Sequence, residues 1–452
     1  GDWSSDVCSS DLRGARGVEG GSRGREIRCR DDLCGAFGRR RRAAIRRRLG
    51  RTRVERTGDE PGDDPGENAV RRRHGGGHYN GAPSLRPADF TMTPDVGGPD
   101  GATGDARLEL LRDWLATALG LGTPDVVPAS ADASFRRYFR VRSADGTRIV
   151  MDAPPDKEDI EPYLRVGALL HGAGARVPQV YAVDRAQGFV LLEDFGTTSL
   201  LSEVRKPGRA ETLYPRALAA LADLQAHGAA AARQLAPYDA AVLQREMALL
   251  PEWFCTRHLA RAPDAEEREL FAHTFDFLVE AALEQPQVFV HRDYHSRNLM
   301  VMPGDALGMI DFQDALCGPI GYDLVSLLKD CYIAWPRAQV VEWLRGHRES
   351  LRDAGCDAAI GVDDEQFLRW FDLIGVQRHV KVLGIFARLA WRDRKPGYLD
   401  DLPLTLRYVQ ESCARYPELA EFGAWLARCA APALEAANAR ARASIDRTRS
   451  GA

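Results

Sequence analysis

The chain has 452 residues, is 44% hydrophobic and 28% charged, and carries a net charge of −4 at pH 7. These values suit a water-soluble globular protein long enough for two or three compact units. No uncharged apolar run reaches bilayer-spanning length and no basic-then-apolar leader opens the chain, so a membrane partner is not expected and the expected compartment is the cytoplasm.

Charge is unevenly spread. Residues 1–91 hold 20 Arg, no Lys and 14 acidic residues, a net +6, which leaves −10 for residues 92–452. Arg runs at 39–42, 46–48 and 71–73 sit among glycines, without hydrophobic periodicity. A basic arm for nucleic acid would interleave aromatic residues or an amphipathic stripe, and neither is present. The expectation is a disordered leader, or sequence of GC-rich DNA read out of frame with Met92 as the start, and no nucleic-acid partner.

From Asp105 to Leu119, leucines at 108, 111, 115 and 119 recur at helical spacing, with Gly120 placed as a C-cap. Residues 135–141 and 147–151 alternate around Ser143-Ala144-Asp145-Gly146, which predicts a hairpin. Asp156 to Asp159 supply capping carboxylates for a helix that presents Tyr163, Val166 and Leu170 on one face. Residues 180–183 and 189–192 form a second hairpin, and Glu193-Asp194-Phe195-Gly196 makes a polar exit. The pattern then turns helical to Glu284 and again from Asp323 to about Arg442. The reading is an α+β chain of two lobes: a small antiparallel sheet lobe at residues 105–195 and a large, mostly helical lobe at 196–442. The nine cysteines, with no Cys-x-x-Cys pair, read as ordinary thiols.

Between the helical stretches lies Val288 to Asp314, the stretch with the strongest chemical signal. An apolar strand (288–290) leads into His291-Arg292-Asp293, and two strands around Pro303-Gly304-Asp305 bring Asn298 and Asp311 to the same end of a hairpin. The spacing H-R-D-x-x-x-x-N followed by a strand-borne aspartate is that of phosphotransfer sites. Such chemistry needs a carboxylate to take the proton of the attacking hydroxyl and hard oxygen ligands to hold Mg2+ against the phosphates. Asp293 is therefore the candidate catalytic base, and Asn298 and Asp311 the candidate metal ligands.

These residues resemble the aminoglycoside phosphotransferase and choline kinase family, of protein-kinase-like bilobal fold, over about residues 105–430. Within it, Ser130-Ala131-Asp132-Ala133-Ser134-Phe135-Arg136-Arg137-Tyr138-Phe139-Arg140, the stretch 150–155 and the stretch 375–388 look especially like bacterial cell-wall recycling kinases of amino sugars. Those enzymes phosphorylate the anomeric hydroxyl of N-acetylmuramate and N-acetylglucosamine in peptidoglycan recycling. The resemblance implies ATP as donor, Ser130, Asp132 and Ser134 in a loop over its phosphates, and Glu193 and Phe195 at the adenine-binding hinge. It also implies a monomer with only small-molecule partners.

Two departures accompany the resemblance. The phosphate loop lacks the glycines that let a backbone approach phosphate closely, and Ile149-Val150-Met151-Asp152 lacks the expected phosphate-binding lysine. Arg136 is the candidate replacement. On the acceptor side, His295 is placed to line the pocket. Arg378, His379, Lys381 and Arg388 form either a solvated charged helix face or a cationic wall for the lactyl carboxylate of N-acetylmuramate. Alternatives are an aminoglycoside kinase, an amino-alcohol kinase using Trp370, Phe371 and Trp391 as an aromatic cage, or an inactive kinase-like binding module.

Overall fold

The structure is a computed structural model that describes residues 105–450 apart from 121, 123, 132–134, 145 and 357–360. The Arg-rich leader expected at residues 1–91, and the phosphate-loop residues Asp132 and Ser134, lie outside the described residues.

Helix α1 (Ala106–Asp113) begins where the Asp105 carboxylate accepts the Leu108 amide hydrogen at 3.1 Å. It continues through a wider π turn, Trp114–Ala118, and Gly120 follows in the left-handed conformation at φ +65°. Five strands then build one antiparallel sheet: β1 (Asp125–Ala131), β2 (Arg137–Ser143), β3 (Gly146–Asp152), β4 (Val180–Asp184) and β5 (Phe189–Glu193), in the order β1-β2-β3-β5-β4. Strand β1 is an addition to the two expected hairpins. Its short Asp-Val-Val-Pro-Ala-Ser-Ala run is bulged at Pro128, and that break in alternation hides it from pattern reading.

Alternation within the strands buries both faces of this sheet. Phe139, Val141, Val150, Phe189 and Leu191 pack under Leu111 and Leu115 of α1. Met151, Val190 and Leu192 point the other way, into the main core with Tyr163, Val166 and Leu170 of α2 (Glu161–Gly172). At the N-terminus of α2, Asp159 accepts the Glu161 amide hydrogen at 2.9 Å.

The larger lobe is helical: α3 (Leu200–Val204), α4 (Arg209–His227), α5 (Ala229–Ala232), α6 (Ala240–Met247), α7 (Ala265–Glu284), α8 (Tyr322–Leu328), α9 (Arg337–Asp353), α10 (Asp364–Trp391), α11 (Leu402–Cys413), α12 (Ala420–Trp425) and α13 (Ala431–Ser450). Two short strand pairs sit among them. β6 (Gln287–Val290) pairs antiparallel with β9 (Leu316–Pro319), and β7 (Leu299–Met302) with β8 (Ala306–Met309). No described helix is long and apolar enough to cross a membrane, and the six described cysteines are free thiols.

Helix α10 is the axle of this lobe, with every residue from Trp370 to Ala390 buried. A helix enclosed on all sides must let neighbouring backbones come close, and Gly384 is where the π turn that follows α6 does so. A Cβ there would lie 2.5 Å from the carbonyl carbon of Leu249. Gly384→Ala is expected to destabilise the fold by about 3 kcal/mol, the upper end of ordinary overpacking. A lower urea midpoint at unchanged slope would register that loss.

Candidate active site

The loop 291–298 leaves β6 and re-enters at β7, and its backbone is anchored to buried acids. Asp323, in the first turn of α8, accepts the amide hydrogens of His291 at 2.7 Å and Arg292 at 3.0 Å. Asp330, just beyond the same helix, accepts the Ser296 amide at 3.0 Å and the Ser296 hydroxyl. Burial pushes the Asp323 carboxyl up to about 7, in spite of those two amide donors, and burial likewise raises Asp330. The loop is thus hung at both ends from one short helix.

Asp293, Asn298 and Asp311 converge on this frame. Asn298 donates through Nδ2 to the Asp293 carbonyl at 3.1 Å and to Asp311 Oδ2 at 3.3 Å. Gln313 donates to the other Asp311 oxygen at 2.7 Å. With its amide nitrogen so used, Asn298 keeps its carbonyl oxygen as an acceptor beside a carboxylate. This hard, all-oxygen pair fits Mg2+, which takes few protein ligands and completes its shell with phosphate and water. Among the described residues no cluster of three or more His, Cys, Asp or Glu could hold a metal. Arg292 and Asp311 both adopt left-handed backbone, at φ +74° and +64°. Each costs about 1–3 kcal/mol and persists only where surroundings over-determine it.

On the sheet side, Ser130 lies in β1 opposite Tyr138. The strand lacking the lysine ends in Asp152, which is buried and taken by Arg107 at 2.9 Å and Arg137 at 3.0 Å. Arg140 pairs with Asp194 at 2.6 Å, so neither Arg137 nor Arg140 is merely solvated. Arg136 is buried at 6% exposure, and its charge acts on Tyr163 together with that of Asp311. Tyr163 rests on Phe312, the neighbour of Asp311, with ring centroids 4.8 Å apart. At the hinge, the Glu193 side chain pairs with Arg176 at 2.7 Å. Phe195 lies so close on β8 that only glycine fits at 308, where a Cβ would come within 2.3 Å of its ring.

Helix α10 corrects one sequence reading. Arg378, His379, Lys381 and Arg388 are all buried, so they are not a solvated face. Lys381 lies 2.9 Å from Glu246 and 3.1 Å from the Tyr322 hydroxyl. His379 stacks on Tyr408 and shares a hydrogen bond with the Lys329 carbonyl at 2.9 Å. Arg388 is among the largest wholly buried side chains. Arg378 is the member nearest the chemistry: it feels the charges of Asp293 and Asp330, and its polar contact is Cys331 Sγ at 3.7 Å. Beside it, burial first and then the charges of Arg378 and Arg297 hold His295 well below its ordinary range. The imidazole is neutral, and its Nδ1 has no hydrogen-bond partner among the described residues. Trp370 and Phe371 are core, and Trp391 donates to His258 at 3.3 Å, so these three do not frame an open cage.

Sequence reading missed Glu246, Asp330 and Gln313. The first left a signal: on α6 and its continuation, Leu243, Glu246, Met247 and Leu250 fall at one helical face, and a carboxylate inside an apolar stripe implies buried cations. Asp330 and Gln313 left none, because loop residues become partners only through the fold.

The signature of the phosphotransferase enzyme family matches residues 125–371. Over 333 residues the chain is 45% identical to the N-acetylmuramate/N-acetylglucosamine kinase of Pseudomonas aeruginosa, covering 72% of this chain and 97% of the relative. It is 40% identical over 339 residues to the protein of the same name from Pseudomonas putida, covering 73% and 98%. Among solved structures, an ethanolamine kinase of Plasmodium vivax superposes with a TM-score of 0.48 at 13% identity, covering 68% of this chain and 88% of that one. The chain belongs to the phosphotransferase enzyme family.

Proposed function

We propose that this protein is an ATP-dependent kinase that phosphorylates the anomeric hydroxyl of N-acetylmuramate and N-acetylglucosamine, with Asp293 as the base. The observation that carries the reading is the convergence of Asp293, Asn298 and Asp311 on a braced, buried loop. The substrate rests on similarity to relatives bearing that name.

The sugar's anomeric oxygen attacks the γ-phosphorus of ATP while its proton passes to the Asp293 carboxylate, and ADP leaves. Mg2+, held by the Asn298 carbonyl oxygen and Asp311, would neutralise charge on the phosphates. Arg136 supplies the cation that the missing lysine would have given, while Ser130, Asp132 and Ser134 cover the phosphates and the 193–195 backbone takes the adenine. His295, whose Nδ1 has no hydrogen-bond partner among the described residues, suits a hydrogen bond to a neutral hydroxyl of the sugar. Arg378 and Arg297 beside it make the acceptor side cationic, which opposes polycationic aminoglycosides and tolerates a lactyl carboxylate. The enzyme works as a cytoplasmic monomer in peptidoglycan recycling.

Asp293→Asn is expected to lower kcat by about 10²–10⁴-fold, the usual worth of a general base, with ATP affinity retained. Steady-state turnover with N-acetylmuramate beside nucleotide titration would read both, and near-normal turnover would remove Asp293 as base. Asp311→Ala should raise the Mg2+ concentration needed for half-maximal rate. An unchanged metal dependence would remove Asp311 as ligand.

A further inference from the structure

One carboxylate of the helical lobe stands where a helix cap belongs and does not cap. Asp401 precedes α11, at the position whose side chain ordinarily accepts an amide hydrogen of the first turn, yet it makes no such bond. Pro403, in that turn, has no amide hydrogen to give. Among the described residues no donor reaches the Asp401 carboxylate, although the residue is half-buried. Burial pushes it up to about 6; Arg297 opposes burial, Asp330 and Asp400 add to it, and Arg205 opposes it again. A carboxylate drawn out of water without a donor is short of hydrogen bonds.

Its surroundings show what would supply them. Arg297, whose charge acts on Asp401, belongs to the 291–298 loop and directly precedes Asn298. Its guanidinium lies 3.5 Å from the centre of the Tyr332 ring, and His295 stands edge-on to the same ring at 5.4 Å. Arg297 and Tyr332 are half-buried like Asp401, whereas His295 is 3% exposed and its Nδ1 has no partner among the described residues. The charge of Arg297 acts on His295 as well. Around Arg297, then, two groups keep unused hydrogen-bonding capacity: an acceptor-only carboxylate and an imidazole nitrogen. Arg297 opposes a cationic ligand there and Asp401 an anionic one. Neutral hydroxyls fit.

We infer that Asp401 is a specificity-determining residue of the acceptor subsite, its carboxylate accepting hydrogen bonds from hydroxyls that N-acetylmuramate and N-acetylglucosamine share, those on C4 and C6. The lactyl group of N-acetylmuramate is on C3, and its carboxylate would be repelled by Asp401. The inference rests on the sugar-kinase reading.

The test measures initial rates for wild type, Asp401→Asn and Asp400→Asn with each sugar. Asp400 is the control: it is exposed, pairs with Arg442 at 2.6 Å, and carries a charge that also acts on Asp401. Asp401→Asn is expected to raise KM for both sugars by about 10–100-fold, the worth of hydrogen bonds to a charged group. Its kcat, KM for ATP and melting temperature should stay near wild type. Asp400→Asn should change none of these. With N-acetylglucosamine, which carries no titrating group, wild-type KM should fall as pH rises through about 6 and Asp401 ionises. Asp401→Asn should lose that dependence, which a merely structural role would not impose. A wild-type sugar KM in Asp401→Asn overturns the inference, as does an equal rise in Asp400→Asn or a wild-type KM that is flat through that pH. A rise for N-acetylglucosamine alone would place Asp401 at C3 and contradict the shared-hydroxyl assignment. Wild-type protein that phosphorylates neither sugar contradicts the proposed function, and the assignment of Asp401 to these sugars falls with it.

Discussion

The 291–298 loop keeps its shape because one strained residue is held from two directions. Arg292 sits in left-handed backbone that a long side chain does not choose freely. Asp323 binds its amide from α8, and Glu246 binds its guanidinium from α6. Both acids lie in the core, where dielectric screening is weak and a satisfied polar network is stiff. The same enclosure explains α10: Lys381 and Gln377 close the network from below, which is why a helix so rich in charge can be buried all round. Breaking one member would leave the others as uncompensated buried charges, so the network stands or falls as a unit.

Much of the chemistry was legible in the sequence because it is local. The spacing of Asp293, Asn298 and Asp311 encodes a loop and a hairpin, and a hairpin brings its ends together whatever surrounds it. The alternating strands 137–143, 146–152 and 189–193 were legible for the same reason, since period two is visible residue by residue. The fold class followed from the switch between periods. What the sequence hid is what depends on long-range contact. Nothing local says that Lys381 meets a carboxylate 135 positions earlier, at Glu246, or that Arg137 turns to Asp152. The cationic residues of α10 read either as a solvated face, which charge usually marks, or as a cationic wall for the sugar. Here charge marks an interior network, and the buried stripe position of Glu246 was the one clue to its other half.

The small lobe shows a related economy of charge. Arg107 and Arg137 share Asp152, Arg140 takes Asp194, and Arg176 takes Glu193. These pairs tie α1 and the hinge to the sheet, and the charges of Arg136 and Asp311 both act on Tyr163. A lysine on β3 is replaced, on this account, by an arginine that enters from the residue just before β2.

The central claim is that Asp293 takes the proton of the anomeric hydroxyl of an N-acetylated amino sugar as that oxygen attacks the γ-phosphoryl group of ATP. Phosphorus NMR of the product made from ATP, Mg2+ and N-acetylmuramate or N-acetylglucosamine tests it most directly, because phosphate on the anomeric carbon and on the hydroxymethyl group give separable signals. The account predicts the anomeric phosphate signal, lost when Asp293 is replaced by Asn. A hydroxymethyl phosphate, or no sugar phosphate from the intact protein, would contradict it.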